Sequence, residues 1–199
     1  MESVDSTFDF KRGVIMDYKM NIAGIDWSLP LCEVTEDLYI GAFILFGAPQ
    51  LTEACARDLI KKAPEYDYVI TAEAKGIPLA HEIARQNNDE TYFVARKYPK
   101  LYMSGIFDVE VKSITTDKVQ HLYLDTVEAE KMKGKKILIV DDVISTGESL
   151  WAIEQLVNKA GGEIVGRMAV LAEGDAADRD DIIYLERLPL FNADGTIKA

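Results

Sequence analysis

Cysteine, histidine and positive charge are all scarce in this chain. Its 199 residues include two cysteines, Cys32 and Cys55, too few for a disulfide framework and without metal-site spacing. Both read as reduced core thiols of a cytoplasmic protein. Histidine occurs only at His81 and His121, which excludes a His-rich metal centre. The 22 lysines and arginines face 34 acids, a formal charge of −12. Such an excess repels a nucleic-acid backbone and an anionic membrane surface unless a local basic patch overrides it, so neither is an expected partner. Long hydrophobic runs are missing too. The longest, LYIGAFILFGA at 38–48, is too short to span a bilayer, carries two glycines and reads as a buried segment. The opening MESVDSTFDFKRG has no apolar signal-peptide core, and neither repeats nor low-complexity tracts occur.

What remains is an ordinary globular composition, 48% apolar and 28% charged, expected to fold as a single domain. From about residue 38, helical and extended patterns alternate. Pro49–Ala63 places Leu51, Ala54, Cys55, Leu59 and Ile60 on one helical face, and Pro64 closes the run. YDYVIT at 66–71 is a short strand, Gly76–Gln86 a helix with Pro78 in its first turn, and TYFVA at 91–95 another strand. Ile106–Thr115 and Val119–Leu124 predict a hairpin. KILIV at 136–140 is the continuous apolar strand of a parallel sheet, buried on both faces. Glu148–Ala160 follows as a helix stopped by Gly161–Gly162, with late strands at 164–171 and 182–185. The pattern predicts an α/β fold: an open, mostly parallel sheet flanked by helices, with the hairpin as an appendage. Its core spans about 38–175, and the flanking stretches, about 1–37 and/or 173–199, are expected to form a small hood.

The chemistry concentrates in ILIVDDVISTGES, 137–149. A buried strand delivers Asp141 and Asp142 at its carboxyl end, where open α/β sheets bind ligands. Ser145, Thr146, Gly147, Glu148 and Ser149 then form a turn opening into a helix, whose free backbone N–H groups and dipole make a phosphate cradle without Lys or Arg. Gly147 allows close backbone approach. The acids suit neighbouring hydroxyls, a magnesium ion or a developing cation. A phosphate beside a diol is a sugar phosphate. A Walker loop is excluded because no G-x-x-x-x-G-K-[ST] run exists. A receiver domain is excluded because 57 residues follow Asp142, against the roughly 120 it needs.

VDDVISTGES resembles the phosphoribosyl pyrophosphate signature of the type I phosphoribosyltransferases: apolar residues, two acids, then a small loop with Thr-Gly and a hydroxyl residue. The resemblance implies that Asp141 and Asp142 hold the ribose hydroxyls and Mg²⁺, while Ser145–Ser149 wrap the 5′-phosphate. TAEAKGIPLA at 71–80 is similar to the pyrophosphate loop of the adenine and xanthine members, which assigns Glu73, Ala74, Lys75 and Gly76 to the leaving group. Arg96-Lys97, followed by Lys100, stands where purine members carry an Arg-Lys pair before a mobile loop; residues 98–124 would be that loop and its hairpin.

By the same resemblance the chain is a purine phosphoribosyltransferase of nucleotide salvage, cytoplasmic and homodimeric, with phosphoribosyl pyrophosphate and a purine base as substrates. Asp117, at the hairpin tip, is the positional equivalent of the acid that helps remove the base's proton, and equally a turn-forming Asp. Two segments compete for the base: Asn21–Leu31 with Trp27, and Glu173–Arg179 with Glu173. EGDAADR lacks the Lys and aromatic of a xanthine enzyme, which favours adenine over xanthine or another 6-oxopurine. A non-catalytic sensor of phosphoribosyl pyrophosphate is the reading outside the enzyme class.

Overall fold

The structure, a computed structural model, describes residues 16–112 and 119–198. It opens with β1 (Asp17–Ile22), β2 (Ile25–Thr35) and β3 (Leu38–Gly41). Next come α1 (Pro49–Ile60), β4 (Tyr68–Ala72), α2 (Ile77–Asn87) and β5 (Phe93–Ala95). The strands β6 (Ile106–Lys112) and β7 (Val119–Asp125) precede α3 (Thr126–Met132), β8 (Lys136–Ile144) and α4 (Glu148–Ala160). The chain closes with β9 (Glu163–Glu173), a 3-10 turn at Gly174–Asp178, β10 (Ile183–Leu188) and β11 (Leu190–Phe191).

Five strands form a wholly parallel sheet in the order β10-β9-β8-β4-β5. From β4 the chain crosses through α2 outward to β5; from β8 it crosses through α4 the other way to β9. The carboxyl ends of β4 and β8 therefore flank the switch point, where an open parallel sheet leaves a crevice. The apolar run in β8 explains the layering. Ile137 and Ile139 enter a core with Leu150, Ile153 and Leu156 of α4, while Leu138 and Val140 enter another with Leu51, Leu59, Leu79 and Ile83 of α1 and α2. A strand covered on both faces needs no polar alternation.

β8 runs beyond the apolar stretch to Ile144, because β9 keeps pairing with it through Asp141↔Ala169 and Val143↔Leu171. Both acids thus sit inside a strand. Periodicity alone misses α3, which has only seven residues. A capping box starts it: Asp125 Oδ1 accepts from the Val127 N–H at 3.2 Å, and Glu128 Oε2 accepts from the Asp125 N–H at 3.3 Å.

A second, antiparallel sheet, β1-β2-β3-β11, lies apart from the parallel one. It draws on both flanks of the chain and moves two boundaries. Residues 38–41 pair with β2 and β11, outside the parallel sheet, whereas β10 at 183–188 pairs with β9 inside it. The rest of the 38–48 run is a loop with Phe43 and Leu45 buried and Ile44 and Phe46 exposed.

The two thiols separate. Cys55 is buried in α1, and burial pushes its thiol up to about 12. Cys32, expected in the core, is exposed; Leu29 marks the inward face of β2, so strand alternation turns residue 32 the other way. Among the described residues no helix is long and apolar enough to cross a membrane.

Candidate active site

At the switch point the β8–α4 turn comes first. Asp142 is 1% exposed, and its Oδ2 accepts from Lys75 Nζ at 2.8 Å. Its backbone N–H donates to Asp141 Oδ1 at 2.9 Å. Burial, then the adjacent Asp142 carboxylate, push Asp141 well above the ordinary carboxylate range; the Asp142 N–H and Lys75 offset this only in part. Asp141 thus holds a proton more tightly than usual, while Asp142 is the acid paired with Lys75. Beyond Ile144 the turn exposes Ser145 and Thr146, passes through Gly147 at φ +79°, and enters α4 at Glu148. Val143–Leu150, with Asp141, line a cup of about 50 Å³ at the start of α4, matched in scale to a single phosphate group.

The neighbouring β4–α2 turn holds Glu73, Ala74, Lys75 and Gly76, and its Glu73–Ala74 peptide is cis. Gly76 has an ordinary φ of −74°, so glycine is needed for space. A Cβ there would lie 2.2 Å from Thr71 Oγ1 and 2.9 Å from Asp141 Oδ1. The two turns therefore touch through Gly76 and Asp141. Glu73 gathers the cationic cluster: its Oε2 accepts from the Lys97 N–H at 3.1 Å, and its Oε1 lies 3.3 Å from Lys100 Nζ and 3.7 Å from Arg96 Nη1. Burial works against ionisation of Glu73, but these donors outweigh it and hold the carboxyl below its usual range. Arg96 also exchanges both backbone hydrogen bonds with Tyr123, at 2.8 Å each, which ties the hairpin to the end of β5.

A single cavity of about 980 Å³ joins these parts. Among the expected site residues it is lined by Glu73, Ala74, Lys75, Lys97, Asp141, Asp142, Ser145, Ser149 and Glu173. Thr146, Gly147 and Glu148 line the adjoining cup. Arg96 and Lys100 stand behind Glu73, off the wall, and Gly76 is buried beneath the loop. Trp27 is not brought to the cavity: it shares the inward face of β2 with Leu29 and packs against the α1–α2 core. Asp117 lies outside the described residues. Glu173 closes the end of β9, where burial raises its carboxyl and Lys75 pulls it partly back.

Wall residues that motif reading does not find include Cys32 and Ile40–Ile44 from the small sheet and the loop after it, Tyr98, and Val119, His121, Leu122 and Tyr123 from the hairpin. Most carry no chemistry that a motif could flag. For His121 the signal was the β7 alternation, which sends Leu122 and Leu124 inward and turns residues 119, 121 and 123 to the other face.

As to a cation, no group of three or more His, Cys, Asp or Glu side chains converges among the described residues. The adjacent pair Asp141 and Asp142 nonetheless suits Mg²⁺, which takes one or two carboxylates and completes its shell with substrate oxygens and water.

The family described as "Phosphoribosyl transferase domain" matches residues 48–192. A hypoxanthine/guanine phosphoribosyltransferase of Methanococcus voltae is 36% identical over 135 residues, covering 68% of this chain and 68% of its own. An adenine phosphoribosyltransferase of Thermotoga maritima is 35% identical over 109 residues, covering 55% of this chain and 59% of its own. Among solved structures, an adenine phosphoribosyltransferase from Rhodothermus marinus superposes with a TM-score of 0.60 at 20% identity, over 86% of this chain and 94% of its own, a likeness of fold.

Proposed function

This chain belongs to the phosphoribosyltransferase family, in its purine branch, and on that premise we propose that it transfers the phosphoribosyl group of phosphoribosyl pyrophosphate to adenine, releasing pyrophosphate in purine salvage. The observation that carries the reading is the single cavity shared by the buried acid pair, the Lys75 loop and the hydroxyl-rich helix start. A diol, a pyrophosphate and a phosphate each find matching chemistry along one wall.

Transfer breaks the bond from C1 of the ribose to pyrophosphate and forms one to a ring nitrogen of the base. Positive charge grows on the sugar and negative charge on the leaving group. Asp141 and Asp142 face the sugar and favour what develops there. Lys75 leaves Asp142 for the pyrophosphate, and Lys97, with Arg96 and Lys100 behind it, adds positive charge on that side. Ser145–Ser149 hold the 5′-phosphate through backbone N–H groups and the start of α4. Mg²⁺, held by Asp141 and Asp142 with substrate oxygens, would supply charge neutralisation at the pyrophosphate.

For the base, Glu173 is the acidic group on the wall near the end of β9. A carboxylate accepts hydrogen bonds, which fits the exocyclic amino group of adenine. The second reading, hypoxanthine or guanine, is favoured by the 36% identity to the Methanococcus voltae enzyme. Pyrophosphate release with phosphoribosyl pyrophosphate, Mg²⁺ and each purine in turn separates them: adenine is expected to give the highest kcat/KM, and a preference for hypoxanthine or guanine selects the second reading. Tight phosphoribosyl pyrophosphate binding with no turnover on any base would make the protein a sensor. A homodimer belongs to the same reading. The exposed Tyr98, Leu101, Tyr102 and Ile106, next to the cavity in sequence, offer an apolar surface for it, and sedimentation at micromolar concentration is the check.

A further inference from the structure

We propose that His121 takes the proton from the attacking base, a role that rests on the cavity being the site of phosphoribosyl transfer. The hairpin register sets it up. Leu122 and Leu124 are buried, and the alternation of β7 turns Val119, His121 and Tyr123 to the opposite face; these three line the cavity, as does the edge of Leu122. The His121 ring stacks on Tyr123, with centroids 5.9 Å apart and planes 13° from parallel. Its Nδ1 is buried without a hydrogen-bond partner among the described residues, so Nε2 is the nitrogen left to meet a ligand.

The reaction needs such a group. A purine attacking through a ring nitrogen that bears hydrogen must shed that hydrogen. The C1–N bond forms, the N–H bond breaks and the C1–O bond breaks with its electron pair leaving on pyrophosphate. The proton passes to Nε2 of His121, which later returns it to water. Of the other ionisable groups on the wall, which include Cys32 and Tyr98, those nearest the sugar and the pyrophosphate are engaged there. Glu73 is held by Lys100, Arg96 and the Lys97 N–H, and Asp142 is buried within β8 on the sugar side. Asp141 accepts from the Asp142 N–H on the sugar side, and Glu173 ends β9. Lys75 and Lys97 carry charge suited to pyrophosphate, and Tyr123 lies beneath the ring. Across the hairpin Glu110 is paired with His121 in register and is exposed. The other histidine, His81, is exposed on α2 beside Tyr92, off the cavity wall. Histidine is the side chain whose ordinary titration range lets it hold and release a proton between pH 5 and 8.

The test uses full-length His121→Gln and His121→Ala, with kcat and KM measured against pH. At pH 7 kcat is expected to fall about 10²–10⁴-fold while KM for phosphoribosyl pyrophosphate stays within about threefold. The wild-type kcat profile should lose one acid-side ionisation in His121→Gln, and added imidazole should restore part of the activity of His121→Ala but none of Asp141→Asn. Phosphoribosyl pyrophosphate should still raise the melting temperature of both His121 variants, which certifies their fold. Unchanged kcat and pH profile in His121→Gln overturn the role, as does a rise in KM alone. Absence of pyrophosphate release by the wild type with every base would instead sink the transfer reading itself.

Discussion

Two β–α turns stand side by side at the switch point, and under the proposed function they would take anions by opposite means. The turn after β8 has no basic residue from Ser145 to Ser149 and offers backbone N–H groups at the start of a thirteen-residue helix. The turn after β4 offers Lys75, and its Glu73 holds Arg96 and Lys100 in place behind it. Each needs a glycine, for a different reason. Gly147 is required by its backbone, at φ +79°, and Gly76 by its neighbours, Thr71 and Asp141. A net charge of −12 therefore does not argue against the proposed polyphosphate ligand: the proposed 5′-phosphate turn carries no cation of its own, and the other turn concentrates several.

The comparison can be pressed hardest at the residues between the turns. Replacing both Asp141 and Asp142 by Asn should lower pyrophosphate release by about 10³-fold or more, because the charge facing the developing cation is gone. The glycines come next. Gly76→Ala pushes Asp141 and Thr71 aside, and a displacement on the order of 1 Å in such a site costs about 10²-fold in kcat/KM. Gly147→Ala meets left-handed strain of about 1–2 kcal/mol and, at 3.2 Å, only the far end of the flexible Arg179 side chain, roughly a tenfold effect read as KM for phosphoribosyl pyrophosphate. If Gly147→Ala proves the more damaging, the two turns have been assigned the wrong constraints.

Lys75→Met should raise KM for phosphoribosyl pyrophosphate about tenfold and also lower the melting temperature, since it strands the buried Asp142 carboxylate. Ser149→Ala, in the turn that binds through its backbone, should change KM only about twofold. The last effect is on stability. Asp141 binds its proton more tightly in the folded protein than at its ordinary 3.8, so the folded state holds a proton that the unfolded chain releases. Stability is then present below that value and is lost as pH rises toward the raised one. Asp141→Asn removes the loss: its melting temperature should exceed that of the wild type by about 2–4 °C per kcal/mol relieved, with the gap widening from about pH 5 to 8.

The sequence exposes what is local. Strand, acid pair, turn and helix occupy 137–160 without interruption, and each device there depends on near neighbours: the β8 apolar run, Gly147, the Gly161 stop. Residues 71–77 are legible for the same reason. The small antiparallel sheet is not, because it is assembled at long range: β3 pairs with β2 on one side and with Leu190–Phe191 on the other. A tryptophan in that region invites a role in base binding, yet Trp27 falls on the inward face of β2, and the exposed cavity-side residue is Cys32. His121 was hidden similarly, since nothing next to it in sequence shows that the hairpin shares a cavity with the acid pair. Even the β8 boundary required its partner, because Asp141 to Ile144 stay in the strand only through pairing with β9.

The most direct test is pyrophosphate release from phosphoribosyl pyrophosphate and Mg²⁺, measured with adenine, hypoxanthine and guanine in turn against a base-free control, for the wild type and the Asp141→Asn/Asp142→Asn double variant. Release that requires a purine in the wild type, and collapses in the double variant while the variant still melts cooperatively, is the result predicted. Base-dependent release that survives the loss of both acids would contradict it.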